Sequence, residues 1–385
     1  MTAADARAAA ARIVGRVDRG GAYSNVVSRT ETRGMNPSDA SVARGLAYDT
    51  LRSLPQIDAE LALRSRRPLD RIDDELFDLL RVGVAELGRS DRPDALTVDS
   101  VVRAAKRLNA SYAGFANGIL RNVARTPPDL RPQIPGWLEQ ELSREFDDSE
   151  VQAFWEASMA SPELGIRGDG SPRGFRQVPQ IEGAHLGSGP IPEGFEIQDP
   201  ASVAVGLAVA AEPGELVLDM AAAPGGKTSQ LVATGAHVVA VDVHRRRTRS
   251  AAKRVPDAAW VIADGRVPPF AAGTFDAILL DAPCSGLGTL RRRPEIIHRS
   301  GPDDVANLAR IAGTLVESAL QLLKAGGRLV YSVCTVTPSE TVDVVAGHDA
   351  RPPDHYQQGR ALGHGWLLDP HLGPSDDRFI AVIDG

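Results

Sequence analysis

Between Gln198 and the last residues of the chain, short apolar runs recur: ELVLDM, HVVAVDV, AWVIA, FDAILLD and GRLVYSVC. These runs are continuous and do not alternate apolar with polar. A strand that is apolar on both faces needs cover on both faces, as in a parallel sheet between helix layers. Stretches with helical spacing, such as Lys227–Ala233 and Val305–Leu323, lie between the runs. Repeated strand–helix units predict a doubly wound α/β domain over 196–385. Ligands of such sheets gather beyond the carboxyl ends of the strands.

Residues 1–125 read as all helix. DASVARGLAYDTLRSL and DDELFDLLRVGVAELG place apolar residues three and four apart. Asp39 and Asp73 are expected N-caps. Thr126-Pro127-Pro128 closes the region, because consecutive prolines break a helix. Residues 126–195 read as a linker and a small subdomain. IPGWLEQELSREF and EVQAFWEASM are helical in pattern, whereas Ser161–Gly194, rich in Gly, Pro and Ser, yields no assignment.

The formal net charge is −7, unusual for a nucleic-acid binder. Its distribution matters more than its sum. Residues 1–125 hold 20 Arg and Lys against 16 Asp and Glu, so the excess negative charge lies in the later residues. Arginine clusters at His244–Arg254 and Arg291–Arg299 are candidate phosphate contacts. No apolar run approaches the roughly 20 residues of a membrane span, and the alanine-rich start lacks the layout of a signal peptide. A cytoplasmic monomer is expected. Two cysteines exclude a disulfide-stapled fold, and the histidines show no metal-ligand spacing, so no metal is expected.

ELVLDMAAAPGGKTSQL reads as strand, tight loop and helix. Gly225 and Gly226 allow a sharp turn and close approach of a ligand to backbone. The helix that follows presents free N–H groups to an anionic group. The loop is neither G-x-G-x-x-G nor a Walker loop. Asp242 ends the next strand, where an acid accepts ribose hydroxyls, and Asp264 follows the third. Loop and acids together describe a nucleoside-bearing ligand with an anionic or zwitterionic tail. S-adenosylmethionine fits better than NAD. The bland alternatives are a simple tight turn and two helix caps.

Cys284 follows FDAILLDAP, and Cys334 ends GRLVYSVC. A lone cysteine is usually a small core residue. Here both cysteines of the chain fall at strand ends where the ligand site should be. A thiolate added to carbon 6 of a pyrimidine makes carbon 5 nucleophilic, so one hard step becomes two easier ones. A carboxyl group near ring nitrogen 3 can share or donate a proton as charge builds there, and a base must remove the carbon-5 proton. These considerations do not rank the two thiols.

The chain resembles the Sun/RsmB-type RNA cytosine carbon-5 methyltransferases. The resemblance is carried by IQDPAS (197–202), LDMAAAPGGKT (218–228), VDVHRRR (241–247), ADGR (263–266), DAPCSGLGTLRRRPE (281–295) and YSVCTVTPSE (331–340). RGLAYDTLR (44–52) and FANGILRNV (115–123) resemble a NusB-like RNA-binding domain, and DPHLGPSDDRFIAVI resembles the family's closing strand. The resemblance implies a Rossmann-like methyltransferase domain preceded by an all-α NusB-like domain, with a linker and small RNA-binding subdomain over 126–195, S-adenosylmethionine as cofactor and ribosomal RNA as partner. It makes Cys334 the nucleophile and gives Cys284 a part in proton removal and product release. It places Asp281 and Lys227 on the cytosine. The cofactor positions are Ala221, Ala222, Ala223, Pro224, Gly225, Gly226, Lys227, Asp242, Asp264 and Asp281. The chain departs from the pattern at Ala221, where Cys is frequent, at IRGDG (166–170), where RVN is usual, and at SDDRF, where DGFF is common. RRRPEIIHR lacks the usual aromatic residue, and His298 is its candidate replacement. Competing readings are the same reaction on transfer RNA and a non-catalytic assembly factor. An amino-group methyltransferase is disfavoured, because DAPCSG lacks that class's Asp/Asn-Pro-Pro-aromatic motif.

Overall fold

A computed structural model describes residues 3–89, 92–354, 359–368 and 375–385. The chain divides into two compact units. One comprises residues 1–134 together with Arg292–Arg299, and the other comprises Pro135–Arg291 and Ser300–Gly385.

The first unit is helical: α1 (Ala3–Asp18), α2 (Ser24–Glu31), α3 (Pro37–Arg52), α4 (Leu54–Arg64), α5 (Asp74–Arg89), α6 (Asp94–Leu108) and α7 (Tyr112–Arg125). Its core gathers the apolar stripes of these helices, including Ile13, Val14, Leu51, Leu80, Val101 and Leu120. Asp73 caps α5 as expected, accepting from the amides of Glu75 and Leu76 at 3.1 and 3.3 Å. Asp39 is not the cap of α3. Asn36 takes that role, its side chain accepting the Asp39 amide at 2.9 Å, because Pro37 starts the helix two residues earlier. Two buried arginines are neutralised: Arg7 by Glu86, and Arg81 by Asp18, Asp58 and Asp78.

The second unit starts with α8 (Gly136–Leu142) and α9 (Asp148–Met159), the latter closed by a capping box of Asp147 and Glu150. The unassigned stretch that follows forms a small antiparallel sheet. Its strands β1 (Leu164–Arg167), β2 (Phe175–Gln177), β3 (Ala184–Gly187) and β4 (Glu196–Ile197) run in the order β2–β3–β1–β4. They are short and separated by loops with glycine at positive φ, which hid them from periodicity. Next come α10 (Pro200–Ala208), β5 (Leu216–Met220), α11 (Gly226–Ala233), β6 (His237–Asp242), α12 (Arg245–Arg254), β7 (Ala259–Ile262) and β8 (Phe275–Asp281). In the first unit's inserted segment lies α13 (Ile296–Arg299). The second unit then resumes with α14 (Pro302–Leu322), β9 (Leu323–Val333), α15 (Val342–Val345), β10 (Ala350–Arg351), β11 (Arg360–Leu362), β12 (Gly365–Leu368) and β13 (Arg378–Asp384).

Among the described residues the large sheet runs β11–β12–β13–β9–β8–β5–β6–β7, with β10 beside β13. Strands β9 to β7 are mutually parallel; β13, β12 and β11 join antiparallel. The chain leaves β5 toward β6 and β7, then returns to β8 on the other side. That reversal is a topological switch point, and it opens a crevice at the carboxyl ends of β5 and β8. The closing strand lies where the tail motif predicted it; residues 369–374 of that motif fall outside the described residues.

Candidate active site

The loop after β5 is built to expose backbone. Ala221 and Gly225 both take positive φ, 59° and 95°, and Gly225 stands directly before α11. A Cβ on Gly225 would meet the Trp260 ring at 3.3 Å. The loop is anchored by Asp242, whose carboxylate accepts the amides of Ala223 and His244 at 3.1 and 2.7 Å. Beneath it Asp219 is fully buried and accepts the Thr228 hydroxyl at 2.6 Å. Burial pushes its carboxyl group up to about 7.

These residues fit S-adenosylmethionine. The start of α11 offers free amides for a carboxylate, and Asp242 retains acceptor capacity at the end of β6. Val243 and Ile262 are large apolar side chains left exposed at the ends of adjacent strands, and Ile262 pairs with Asp242. They offer an apolar bed for a purine, a feature the sequence did not single out. Asp264 lies in the loop after β7, where Arg266 clasps its carboxylate at 2.6 Å and holds it near 2.

Across the crevice, Asp281 ends β8 between two cations. Lys227 donates to Oδ2, and Arg378 donates to Oδ1 at 2.6 Å. Burial alone would push Asp281 up, but the two cations outweigh it and hold the carboxyl below its ordinary value. Arg378 also lies 3.5 Å from the Ser332 hydroxyl, so it links the ends of β8 and β9. It was not among the predicted site residues. The signal was present in SDDRF, where a buried cation replaces an apolar ring.

Three residues past Asp281, Cys284 meets Cys334, with the two sulfurs 3.4 Å apart. Both cysteine residues are half-buried. The hydrogen bond to Cys334 and burial push the Cys284 thiol well up, and negative charge at Cys334, Glu340 and Asp281 adds to this. Ionising one of two such sulfurs discourages ionising the other. Among the described residues no cluster suited to a metal ion is found.

The arginine clusters fare differently. Helix α12 displays its basic residues, and one of them, Arg247, also donates to the Ala223 carbonyl. The second cluster is committed elsewhere. Arg291 donates to the Ser375 carbonyl at 3.2 Å, and Arg299 donates to the carbonyls of Val17, Gly21 and Ala22. His298 lies 2.7 Å from the Leu51 carbonyl. Arg291 and Arg299 therefore carry structural hydrogen bonds to backbone carbonyls.

A switch-point crevice with a glycine loop, an acid at the second strand end and a helical unit ahead of it define a Rossmann-like, S-adenosylmethionine-dependent methyltransferase with a NusB-like domain. The family model described as 16S rRNA methyltransferase RsmB/F matches residues 206–358, and the NusB family model matches residues 4–125. The chain is 34% identical to a ribosomal RNA small subunit methyltransferase B of Thermus thermophilus, covering 97% of this chain and 96% of that one. A protein of the same description from Sodalis glossinidius is 29% identical, covering 91% and 90%. The solved structure of PH0851 superposes with a TM-score of 0.85 at 20% identity, covering 100% of this chain and 99% of its own, a likeness of fold. A methyltransferase homolog from Pyrococcus horikoshii matches at a TM-score of 0.53 and 25% identity, covering 64% of this chain and 94% of that one. The chain belongs to the Sun/RsmB family of RNA methyltransferases, and its cofactor is S-adenosylmethionine.

Proposed function

We propose that this enzyme methylates carbon 5 of a cytosine in small-subunit ribosomal RNA, through a covalent bond between Cys334 and carbon 6 of the base. The observation that carries the reading is the pair of sulfurs 3.4 Å apart, with Cys284 three residues beyond Asp281, whose carboxyl group is held below its ordinary value. The relatives' printed name, ribosomal RNA small subunit methyltransferase B, supports the substrate class.

When bound, S-adenosylmethionine supplies an electrophilic methyl group on a sulfonium. Ala221–Gly226, Lys227, Asp242 and Asp264 are the residues that would hold it. The target base must leave its stack to reach the crevice. Asp281, kept anionic, accepts a hydrogen bond from the base, and the Lys227 ammonium faces the ring nitrogen where charge builds. Cys284, whose thiol is pushed well up, stays protonated, and Cys334 acts as the nucleophile that the family resemblance assigns. The Cys334 thiolate bonds to carbon 6, and carbon 5 becomes nucleophilic, able to take the methyl group that the bound cofactor would supply as that group's bond to sulfur breaks. Bonding removes the negative charge beside Cys284, so its proton can pass to water. The Cys284 thiolate then takes the carbon-5 proton, the bond between sulfur and carbon 6 breaks, and Cys334 leaves as a thiolate.

Two variants test this. Cys334→Ala should cut methylation at least about 1,000-fold with cofactor affinity nearly unchanged; full activity would refute the nucleophile assignment. Cys284→Ala should accumulate a protein–RNA adduct that survives a denaturing gel, and normal turnover without adduct would remove its release role. Bisulfite sequencing of ribosomal and transfer RNA from a deletion strain identifies which RNA loses a methyl group.

A further inference from the structure

We propose that Glu340 is a positioning residue for the thiol pair: its buried carboxylate ties the loop carrying Cys284 to the loop carrying Cys334 and thereby fixes the gap between the sulfurs. The inference deepens the function proposed above and rests on it for its catalytic meaning.

Glu340 is 1% exposed. Ser285, directly after Cys284, donates its backbone N–H to Oε1 at 2.7 Å and its hydroxyl to Oε2 at 2.6 Å. From the other loop, the Thr337 hydroxyl donates to Oε2 at 2.7 Å. The Ser285 hydroxyl also lies 3.0 Å from that of Thr335, directly after Cys334. The residue's own carbonyl accepts the hydroxyl of buried Tyr331, on β9, at 2.7 Å. The flanking residue of each cysteine is thus bound into one network around a single carboxylate.

Among the described residues no cation pairs with Glu340. Burying a carboxylate without a counter-ion is costly, and burial pushes Glu340 up despite the donors around it. A neutral or apolar residue would fill the space at lower cost. What it would lose is the convergence of one amide and two hydroxyls on neighbouring oxygens. Such convergence fixes loop positions that the strands alone do not, because both cysteines lie beyond the last ladder bonds. A misplacement of about 1 Å can cost on the order of 100-fold in rate.

The test reads sulfur geometry without RNA or cofactor. Phenylarsine oxide condenses with two adjacent thiols, forming two As–S bonds and releasing one water, with no change in oxidation state. Full-length wild-type protein should take up one equivalent and lose this on Cys284→Ser. Glu340→Ala should weaken capture by about 10-fold or more, as expected when two binding groups lose their fixed separation. Glu340→Gln keeps an acceptor for the Ser285 amide and an amide donor for the hydroxyls, so it should stay within about 3-fold of wild type. If Glu340→Ala does not fold, the Ser285→Ala/Thr337→Val double variant, which keeps the acid and removes two of its donors, should weaken capture likewise. Wild-type capture by Glu340→Ala, or by the double variant, overturns the proposal. A wild-type protein that binds arsenic but methylates no cytosine would sink the proposed reaction and leave this geometric inference standing.

Discussion

At the scale of single residues, charge placement decides what each group can do. Asp281 has a cation on each oxygen, so it serves as an acceptor and not as an acid. Removing one cation should show this. In Arg378→Met, Lys227 alone opposes the burial of Asp281, so the carboxyl group rises toward the ordinary range. The acid limb of the methylation pH–rate profile should move up by about one unit, and Arg378→Lys should restore much of it. A profile that falls in height without moving would mean that Arg378 is only structural. Asp219 works the other way. Its folded value, about 7, lies above the 3.8 of an ordinary aspartate. The folded state therefore binds more protons, and stability declines as pH rises from about 4 to 7. Asp219→Asn removes that decline. Its stability relative to wild type should improve across this window by on the order of 1–3 kcal/mol, read by denaturant melts at pH 5 and 8. A constant difference would count against the buried acid as the cause.

At the scale of elements, the legible parts were those whose periodicity is imposed by burial. The strands β5, β6, β8 and β9 had to be largely apolar on both faces, and they stood where continuous apolar runs placed them, as did the half-exposed edge strand β7. The helices of residues 1–125 showed their stripes for the same reason. The small sheet of β1 to β4 was illegible, because strands as short as Glu196–Ile197 impose no pattern and their glycine turns read as loop. The site divides similarly. Cys284, Cys334 and Asp281 were singled out because their residue types carry recognisable chemistry at strand ends, and Lys227 entered through the family resemblance. Arg378 and Glu340 were passed over although both lie in quoted motifs, since their roles arise from partners 97 and 55 residues away. The α3 cap shows local competition, with Asn36 and Pro37 together outranking Asp39. The glycine loop offers an element-scale test. Gly225 sits at a φ of 95°, with the Trp260 ring in the path of a side chain. Gly225→Ala should weaken cofactor binding by about 10-fold or more through backbone strain of roughly 1–2 kcal/mol. Calorimetric titration that found wild-type affinity would show the loop geometry to be dispensable.

At the scale of the whole molecule, the first unit is not a continuous stretch of chain. Residues Arg292–Arg299 belong to it by contact, and they satisfy backbone groups that its helices leave open. Glu295 accepts the Ser24 amide at 2.9 Å, and Arg299 serves three carbonyls at the α1–α2 corner. Arg299→Met strips all three and should lower local stability there by about 1–3 kcal/mol. Hydrogen exchange should accelerate in α1 and α2 and stay unchanged in the strands of the large sheet. Equal acceleration in both would contradict the assignment of this segment to the helical unit.

The borrowed segment also sets terms for anyone moving this unit between genes. A fragment ending at residue 134 would carry the helices but not the peptide that covers the Ser24 amide and the Val17 carbonyl, and would expose both to water. A working graft therefore needs two pieces of coding sequence, or a redesigned α1–α2 corner that no longer calls for the second.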